Sequence, residues 1–185
     1  MTPTRRDEHR GLRRAGLVVL VIVVALAGIG ALFWYFTDQD SPTISAKGPG
    51  QEFADQGSEH VSPGERVDYN SDPPTSGPHV EEQTARDGTE LSDDQILHLL
   101  EQGNVVLVYG DAQPPAALRR LAEEASGPYS RGLADAGQAV VLARRPGTEG
   151  VVALAWRHLL EVPSAGDPQL TDFIDYWLGQ GADAS

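Results

Sequence analysis

The sequence predicts a small α/β domain, with an α+β domain as the alternative, which follows an N-terminal transmembrane helix. Three observations support this prediction. Residues 16–36 form one uncharged apolar run. Further along, short continuous apolar runs alternate with stretches whose apolar residues recur at helical period. In chain order these patterns predict α-β-α-β-β-α, with the strands in a mixed sheet of three to four strands.

The apolar run is long enough to cross a bilayer, because a helix rising ~1.5 Å per residue spans about 31 Å over residues 16–36. Residues 1–15, before the run, are rich in arginine, whereas the acidic residues Asp38 and Asp40 follow it. The positive-inside rule therefore predicts a cytoplasmic tail, a single pass through the cell membrane and an extracytoplasmic domain. A signal peptide cleaved after Ala27 is the alternative, although the apolar run continues beyond that residue to Phe36.

Composition excludes several classes of function. The formal net charge is −13, and the acidic residues lie almost entirely after the apolar run, so we expect no nucleic-acid binding. The chain has no cysteine, which excludes disulfides, thiol redox chemistry and thiolate metal sites. Its single methionine excludes a methionine-rich copper site. The exported domain must therefore be stabilised by its core alone.

The segment between the membrane span and the domain is polar. Residues 37–59 are rich in Ser, Gly, Pro and Asp, which predicts a linker, and the domain is expected at 60–182. Within it, weak alternation over residues 65–69 indicates a short edge strand. The polar stretch from 81 to 90 is expected to be a surface loop.

The first helix of the domain has a clear beginning and end. Ser92 followed by Gln95 is a capping box, and a helix through Ile96 to Leu100 would end at Gly103. The continuous apolar run 105–109 is typical of a strand covered on both faces.

The remaining elements follow the same logic. Two prolines open a helix at 114–115 that ends before Gly127, and the apolar run 139–143 predicts a strand parallel to 105–109. Residues 151–156 are expected to form a hairpin with 139–143. A final helix begins after Asp167 and buries an apolar stripe that includes Trp177.

A stiff, proline-rich phrase precedes these elements, and it ends in a histidine: Asp72-Pro73-Pro74-Thr75-Ser76-Gly77-Pro78-His79. With His60, Tyr69 and the segment 97–106, this phrase resembles the bacterial family called domain of unknown function 3105. The resemblance covers residues 58–180. It implies a membrane-anchored or exported protein, and it brings no settled function to transfer.

One departure from the family pattern concerns metal binding. The family segment usually reads Val-His-Asn-Leu-Glu-His-Gly, and this chain has Leu99 in place of Asn and Gln102 in place of the second His. Histidines four residues apart share a helix face and form a chelating pair. Because an amide is a poor ligand beside imidazole, the departure implies a site that is lost or retuned here.

The leading hypothesis is a transition-metal site that joins His60, His79 and His98, completed by Glu101 or Tyr69. Neutral imidazoles and a carboxylate suit copper or zinc. His98 shares a polar helix face with Asp94, whose carboxylate we expect to orient its ring. The alternative for each histidine is an ordinary structural or solvated role.

Two other functions compete with metal binding. A non-catalytic domain would dock another envelope protein through the loop residues Tyr69, Pro73, Pro74, Thr75, Ser76, Gly77 and Pro78. Hydrolysis has less support, because Ser76 and His79 lack a recognisable oxyanion hole and orienting acid. We therefore predict an extracytoplasmic binding module rather than an enzyme.

Overall fold

The computed structural model describes residues 48–81 and 86–184. The predicted cytoplasmic tail, the predicted span at 16–36 and the linker up to residue 47 lie outside the described residues. Within the described ranges, no helix has both the length and the apolar character needed to cross a membrane. Membrane anchoring therefore stays a prediction.

The described residues form one mixed sheet with helices on both faces. The strands are β1 (Gln51–Glu52), β2 (Thr89–Glu90), β3 (Val105–Tyr109), β4 (Val140–Arg144), β5 (Val151–Ala155) and β6 (His158–Val162). The helices are α1 (Asp93–Gln102), α2 (Ala116–Ser126), α3 (Arg131–Asp135) and α4 (Gln169–Trp177), followed by a 3-10 turn at Ala182–Ala184. The sheet has the order β1-β6-β5-β3-β4-β2, so the fold is α+β and the described sheet has six strands rather than three or four.

Strand β3 lies at the centre of the sheet. It pairs in parallel with β4 and antiparallel with β5, and all of its residues are buried. The prediction that the apolar run 105–109 is covered on both faces is confirmed. Val105 and Leu107 belong to the core under α2 and α4, whereas Val106 and Val108 belong to the core under α1.

The predicted hairpin between 139–143 and 151–156 is wrong. Strand β5 pairs with β3 instead, with Ala153 opposite Leu107, and its hairpin partner is β6. The turn between β5 and β6 contains Arg157, whose φ is 65°. A buried apolar run does not specify its neighbours in the sheet, because every such run can pair on either edge.

The edges of the sheet also differ from expectation. Residues 65–69 form no strand, and the short edge strands are β1 and β2. The described part of the predicted linker packs on the domain, since Gln51 pairs with Leu159 and the Trp177 indole N–H donates to the Pro49 carbonyl at 2.8 Å. Strands of two residues are too short to leave an alternating pattern in a sequence.

The long helices form where the sequence predicts them. Ser92 caps α1 in a capping box with Gln95, and Gly103 ends it at a φ of 105°. Helix α2 follows Pro115, and α4 buries the predicted apolar stripe that includes Trp177. The short helix α3 is an element that the sequence patterns do not predict.

Close contacts with neighbouring backbone fix the C-terminal end of α1. Gly137 has a φ of 68°, and a Cβ there would overlap the carbonyl oxygen of Gln102. A Cβ on Gly181 would likewise overlap the carbonyl oxygen of Glu101. Only glycine permits these approaches, so the chain after α3 and the chain near the C-terminus both fix the last turn of α1.

The side chain of Asn104 connects α1, α3 and Ala139, the residue before β4. It is buried, and its amide nitrogen donates to the carbonyls of Leu99 at 3.0 Å and Ala134 at 2.9 Å. Its amide oxygen accepts from the N–H of Ala139 at 2.9 Å. The three bonds satisfy backbone groups that are shielded from water.

We expect Asn104→Ala to lower the free energy of unfolding by about 2–4 kcal/mol, because it leaves buried backbone groups unpaired. Urea denaturation of the full-length chain measures the change, with substitution of the exposed Gln113 by alanine as the matched control. A loss within about 0.5 kcal/mol, typical of a surface substitution, would contradict this role.

Candidate metal centre

The proline-rich loop is held against an earlier segment by backbone hydrogen bonds. The N–H of Gly77 donates to Gly57 at 2.8 Å, and the N–H of His79 donates to Glu59 at 3.1 Å. The N–H of Val61 in turn donates to the carbonyl of His79 at 3.0 Å, which completes a parallel bridge between His60 and His79. The two histidines therefore lie side by side although nineteen positions separate them along the chain.

The interior of this loop is buried. Thr75, Ser76 and His79 are each 0% exposed, and the Ser76 hydroxyl accepts from the N–H of Gln56 at 3.1 Å. The Thr75 carbonyl accepts from the N–H of Arg157 at 2.9 Å. Docking of an envelope protein through this loop stays a prediction. Thr75 and Ser76 serve the local structure.

Tyr69 braces the end of the loop. Its hydroxyl donates to the Pro78 carbonyl at 2.9 Å, and a Cβ on Gly77 would lie 3.0 Å from its ring. Burial, and then the nearby carboxylates of Asp94 and Asp93, raise the pKa of Tyr69. Tyr69 therefore acts as a hydrogen-bonding support for the loop rather than as a ligand in the cluster described next.

Asp94 docks the loop onto helix α1. Its carboxylate accepts from the N–H of Val80, the residue after His79, at 2.8 Å. The expectation that Asp94 orients the ring of His98 is therefore wrong. Gln102 contacts that ring, with its side-chain nitrogen 3.0 Å from His98 Nε2.

The structure brings together His60, His79, His98 and Glu101. Each offers one ligand atom, and these four atoms all lie within 4.8 Å of one another. The imidazole centroids of His60 and His79 are 5.3 Å apart, and those of His79 and His98 are 6.2 Å apart. A loop and a helix thus supply one cluster with the donor types that zinc and copper prefer.

Glu101 lies among the histidines. Its Oε2 is 3.3 Å from His79 Nε2 and 3.8 Å from His60 Nε2. The side chain of Glu101 is 25% exposed and that of His60 is 46% exposed, so the cluster opens to solvent on the His60 side. An ion can therefore reach the cluster from the His60 side while His79 stays buried.

Two imidazole nitrogens of the cluster are buried without a hydrogen-bond partner among the described residues. They are His79 Nε2 and His98 Nδ1. The other nitrogen of His79 donates to the Gly77 carbonyl at 3.0 Å, which leaves the lone pair on Nε2. Burial, and then the neighbouring His79, lower the pKa of His98, so its ring is neutral at pH 7 as a metal ligand must be.

Two further residues with titratable or charged side chains lie outside the cluster. His158 is outside the cluster; it stacks on Trp177 with a centroid distance of 3.7 Å, and its Nδ1 lies 2.8 Å from the Trp156 carbonyl. Arg145 forms ion pairs with carboxylates, one of which is that of Asp93. Both residues therefore have structural roles.

Glu81 is a residue near the cluster that sequence reasoning missed. Its carboxylate lies 3.9 Å from His60 Nδ1. It stands in a polar stretch where acidic residues are frequent, so no sequence signal distinguishes it from its neighbours.

The protein is thus a small α+β domain that carries a cluster of three histidines and one glutamate. The chain belongs to the family described as Protein of unknown function (DUF3105), whose sequence model matches residues 60–184. The resemblance noted in the sequence is thereby confirmed. Comparison with curated proteins and with solved structures finds no match.

We expect Tyr69→Phe to lower the free energy of unfolding by about 0.5–1.5 kcal/mol, because the Pro78 carbonyl loses its donor. Chemical denaturation of the full-length chain at pH 7 tests this, with Tyr176→Phe at an exposed position as the control. Equal stability of the two variants would show that the bond contributes nothing.

The comparison of wild type with Tyr69→Phe also gives a prediction about pH. Because the pKa of Tyr69 is raised in the folded state, its stabilising contribution is present below the unfolded value of 10.0 and is lost as pH rises above it. The difference in unfolding free energy between wild type and Tyr69→Phe should be constant from pH 7 to 9 and should narrow above 10. A difference that widens in alkali would contradict the assignment.

Proposed function

We propose that this domain binds one divalent transition-metal ion, zinc or copper, through His60, His79, His98 and Glu101. The observation that carries the proposal is the convergence of one ligand atom from each of these four residues within 4.8 Å of one another. His79 Nε2 is buried at this point, has no hydrogen-bond partner among the described residues, and lies 3.3 Å from Glu101 Oε2. Burying a polar nitrogen without a partner costs about 1–3 kcal/mol. A metal ion in the cluster would give His79 Nε2 a direct partner for its lone pair.

The donor distances support this coordination. Tetrahedral bonds of about 2.0–2.1 Å to nitrogen place neighbouring ligand atoms about 3.4 Å apart. The separation between His79 Nε2 and Glu101 Oε2 is 3.3 Å, and the separation from Glu101 to His60 is 3.8 Å. His60 is the most exposed of the four residues, so it is the ligand most able to move inward and close the site.

We also propose that the domain is held outside the cytoplasm by a single membrane span at residues 16–36. The uncharged run and the arginine-rich tail before it support this arrangement. A site in that position would meet metal ions from the surroundings of the cell. The chemistry of imidazole and carboxylate ligands suits Zn²⁺ and Cu²⁺ in an oxidising compartment.

Titration calorimetry of the full-length chain, purified in detergent and freed of metal with EDTA, tests the proposal. We expect one Zn²⁺ or Cu²⁺ ion per chain with submicromolar affinity. His60→Ala and His98→Ala should each weaken binding by about 100-fold or more, because each removes a ligand. His60→Ala is easier to interpret than His98→Ala, because the exposed side chain of His60 contributes little to folding.

The matched control is His9→Ala, which removes a histidine from the N-terminal tail and should leave affinity unchanged. Circular dichroism of each variant establishes that it is folded. Absence of binding to the wild type, or affinity indifferent to both cluster variants, would overturn the proposal.

A further inference from the structure

The two ring nitrogens of His60 face two different carboxylates. Nε2 faces the cluster, where it lies 3.8 Å from Glu101 Oε2. Nδ1 lies on the other side of the ring, 3.9 Å from Glu81 Oε2. Glu81 is not one of the four residues whose ligand atoms converge. It therefore stands behind His60, next to the nitrogen that the cluster does not use.

We propose that Glu81 is a positioning residue that accepts a hydrogen bond from Nδ1–H of His60 and so presents Nε2 of that ring to the metal ion. This inference rests on the proposed function, because it assigns a role beside the same cluster. Glu81 is not a ligand in this arrangement. It acts through His60, by holding the ring in one orientation and in one tautomer.

The chemistry of the two side chains explains how. A neutral imidazole has one N–H and one lone pair, and a metal ion needs the lone pair. An ionised carboxylate only accepts hydrogen bonds, so Glu81 favours the tautomer of His60 that carries its proton on Nδ1. The lone pair then lies on Nε2, on the side of Glu101. With an ion in the cluster, Glu101 would bind that ion, and Glu81 is the carboxylate beside Nδ1–H.

His79 shows the same arrangement in a buried form. Its Nδ1–H donates to the Gly77 carbonyl at 3.0 Å, so its lone pair lies on Nε2. An oxygen acceptor thus stands behind the ring of each of these two histidines, a backbone carbonyl for His79 and a carboxylate for His60. Acceptors of this kind orient metal-bound histidines and raise their basicity.

His60 depends on such an acceptor because packing does not hold its ring. Its side chain is 46% exposed and that of Glu81 is 56% exposed, whereas His79 is 0% exposed. The backbone just before Glu81 is fixed, since the N–H of Val80 donates to Asp94 at 2.8 Å. The present separation of 3.9 Å is longer than a hydrogen bond, and rotation of the two exposed side chains can close it.

The experiment compares three versions of position 81 in the full-length, metal-free chain, with Zn²⁺ alone as the probe. Glu81→Met removes the acceptor at nearly constant length and should weaken Zn²⁺ binding about 10- to 100-fold. Glu81→Gln keeps an acceptor oxygen and loses only the charge, so its affinity should lie closer to wild type than to Glu81→Met. The matched control is Glu65→Met at another exposed glutamate, which should bind Zn²⁺ as wild type does.

A spectroscopic readout separates positioning from mere stability. Two-bond ¹H–¹⁵N correlation spectra of histidine-labelled protein report which nitrogen of each ring is protonated and which holds metal. We expect His60 of the zinc-bound wild type to be protonated at Nδ1 and metal-bound at Nε2.

Three results would overturn the inference while leaving the proposed function intact. They are zinc on Nδ1 of His60, unchanged affinity in Glu81→Met that circular dichroism shows to be folded, and an equal loss in Glu81→Gln and Glu81→Met. The last result would mean that Glu81 acts by its charge alone. A wild type that binds no Zn²⁺ and no Cu²⁺ would overturn both the inference and the proposed function.

Discussion

The histidine cluster depends on the backbone pairing between two irregular segments, residues 57–61 and 77–79. Three hydrogen bonds of 2.8–3.1 Å join them and place His60 beside His79. These bonds satisfy backbone groups in a region without regular secondary structure, and this allows the loop to be buried. Asp94 then fastens the same segment to α1 through the N–H of Val80. Without that pairing, the helix would carry His98 and Glu101 with no second histidine opposite them.

The helix that carries the other half of the cluster is fixed just as firmly. Its first turn is capped by Ser92, and its last turn is enclosed by the backbone near Gly137 and Gly181. Asn104 connects that end to α3 and to Ala139, the residue before β4. The positions of His98 and Glu101 are thereby set by contacts at both ends of one ten-residue helix. Rigid placement of this kind favours defined coordination geometry over adaptable binding.

Sequence reasoning identified the elements that have a strong period or a clear cap. The helices from Asp93 and Gln169 and the buried strand at 105–109 are where the patterns predict them. The sequence also names all four residues of the cluster as candidates, and the structure brings them together, although metal binding stays a prediction. Their convergence could not be derived, since it depends on backbone pairing between loops that leave no periodic signal.

The errors have a common physical origin. Strand β5 was assigned the wrong partner, and β6 was not recognised, because an apolar run specifies burial but not neighbours. The expectation for Asp94 is wrong because helical spacing places it near His98 but does not reveal that its carboxylate accepts from the N–H of Val80. In each case a tertiary contact decided between partners that are equivalent in the sequence.

The position of the cluster along the chain has a consequence for a protein without cysteine. Residues 60 and 101 belong to opposite sides of the cluster, and the chain between them contains the irregular proline-rich segment. A metal ion bound to both residues, as proposed, would join positions that lie 41 residues apart along the chain. Because such an ion would be released when the chain unfolds, it would stabilise the folded state by mass action, by about 2.7 kcal/mol at an ion concentration of 100 times Kd. Metal coordination would then act as a reversible staple, formed and removed by ion concentration rather than by redox chemistry.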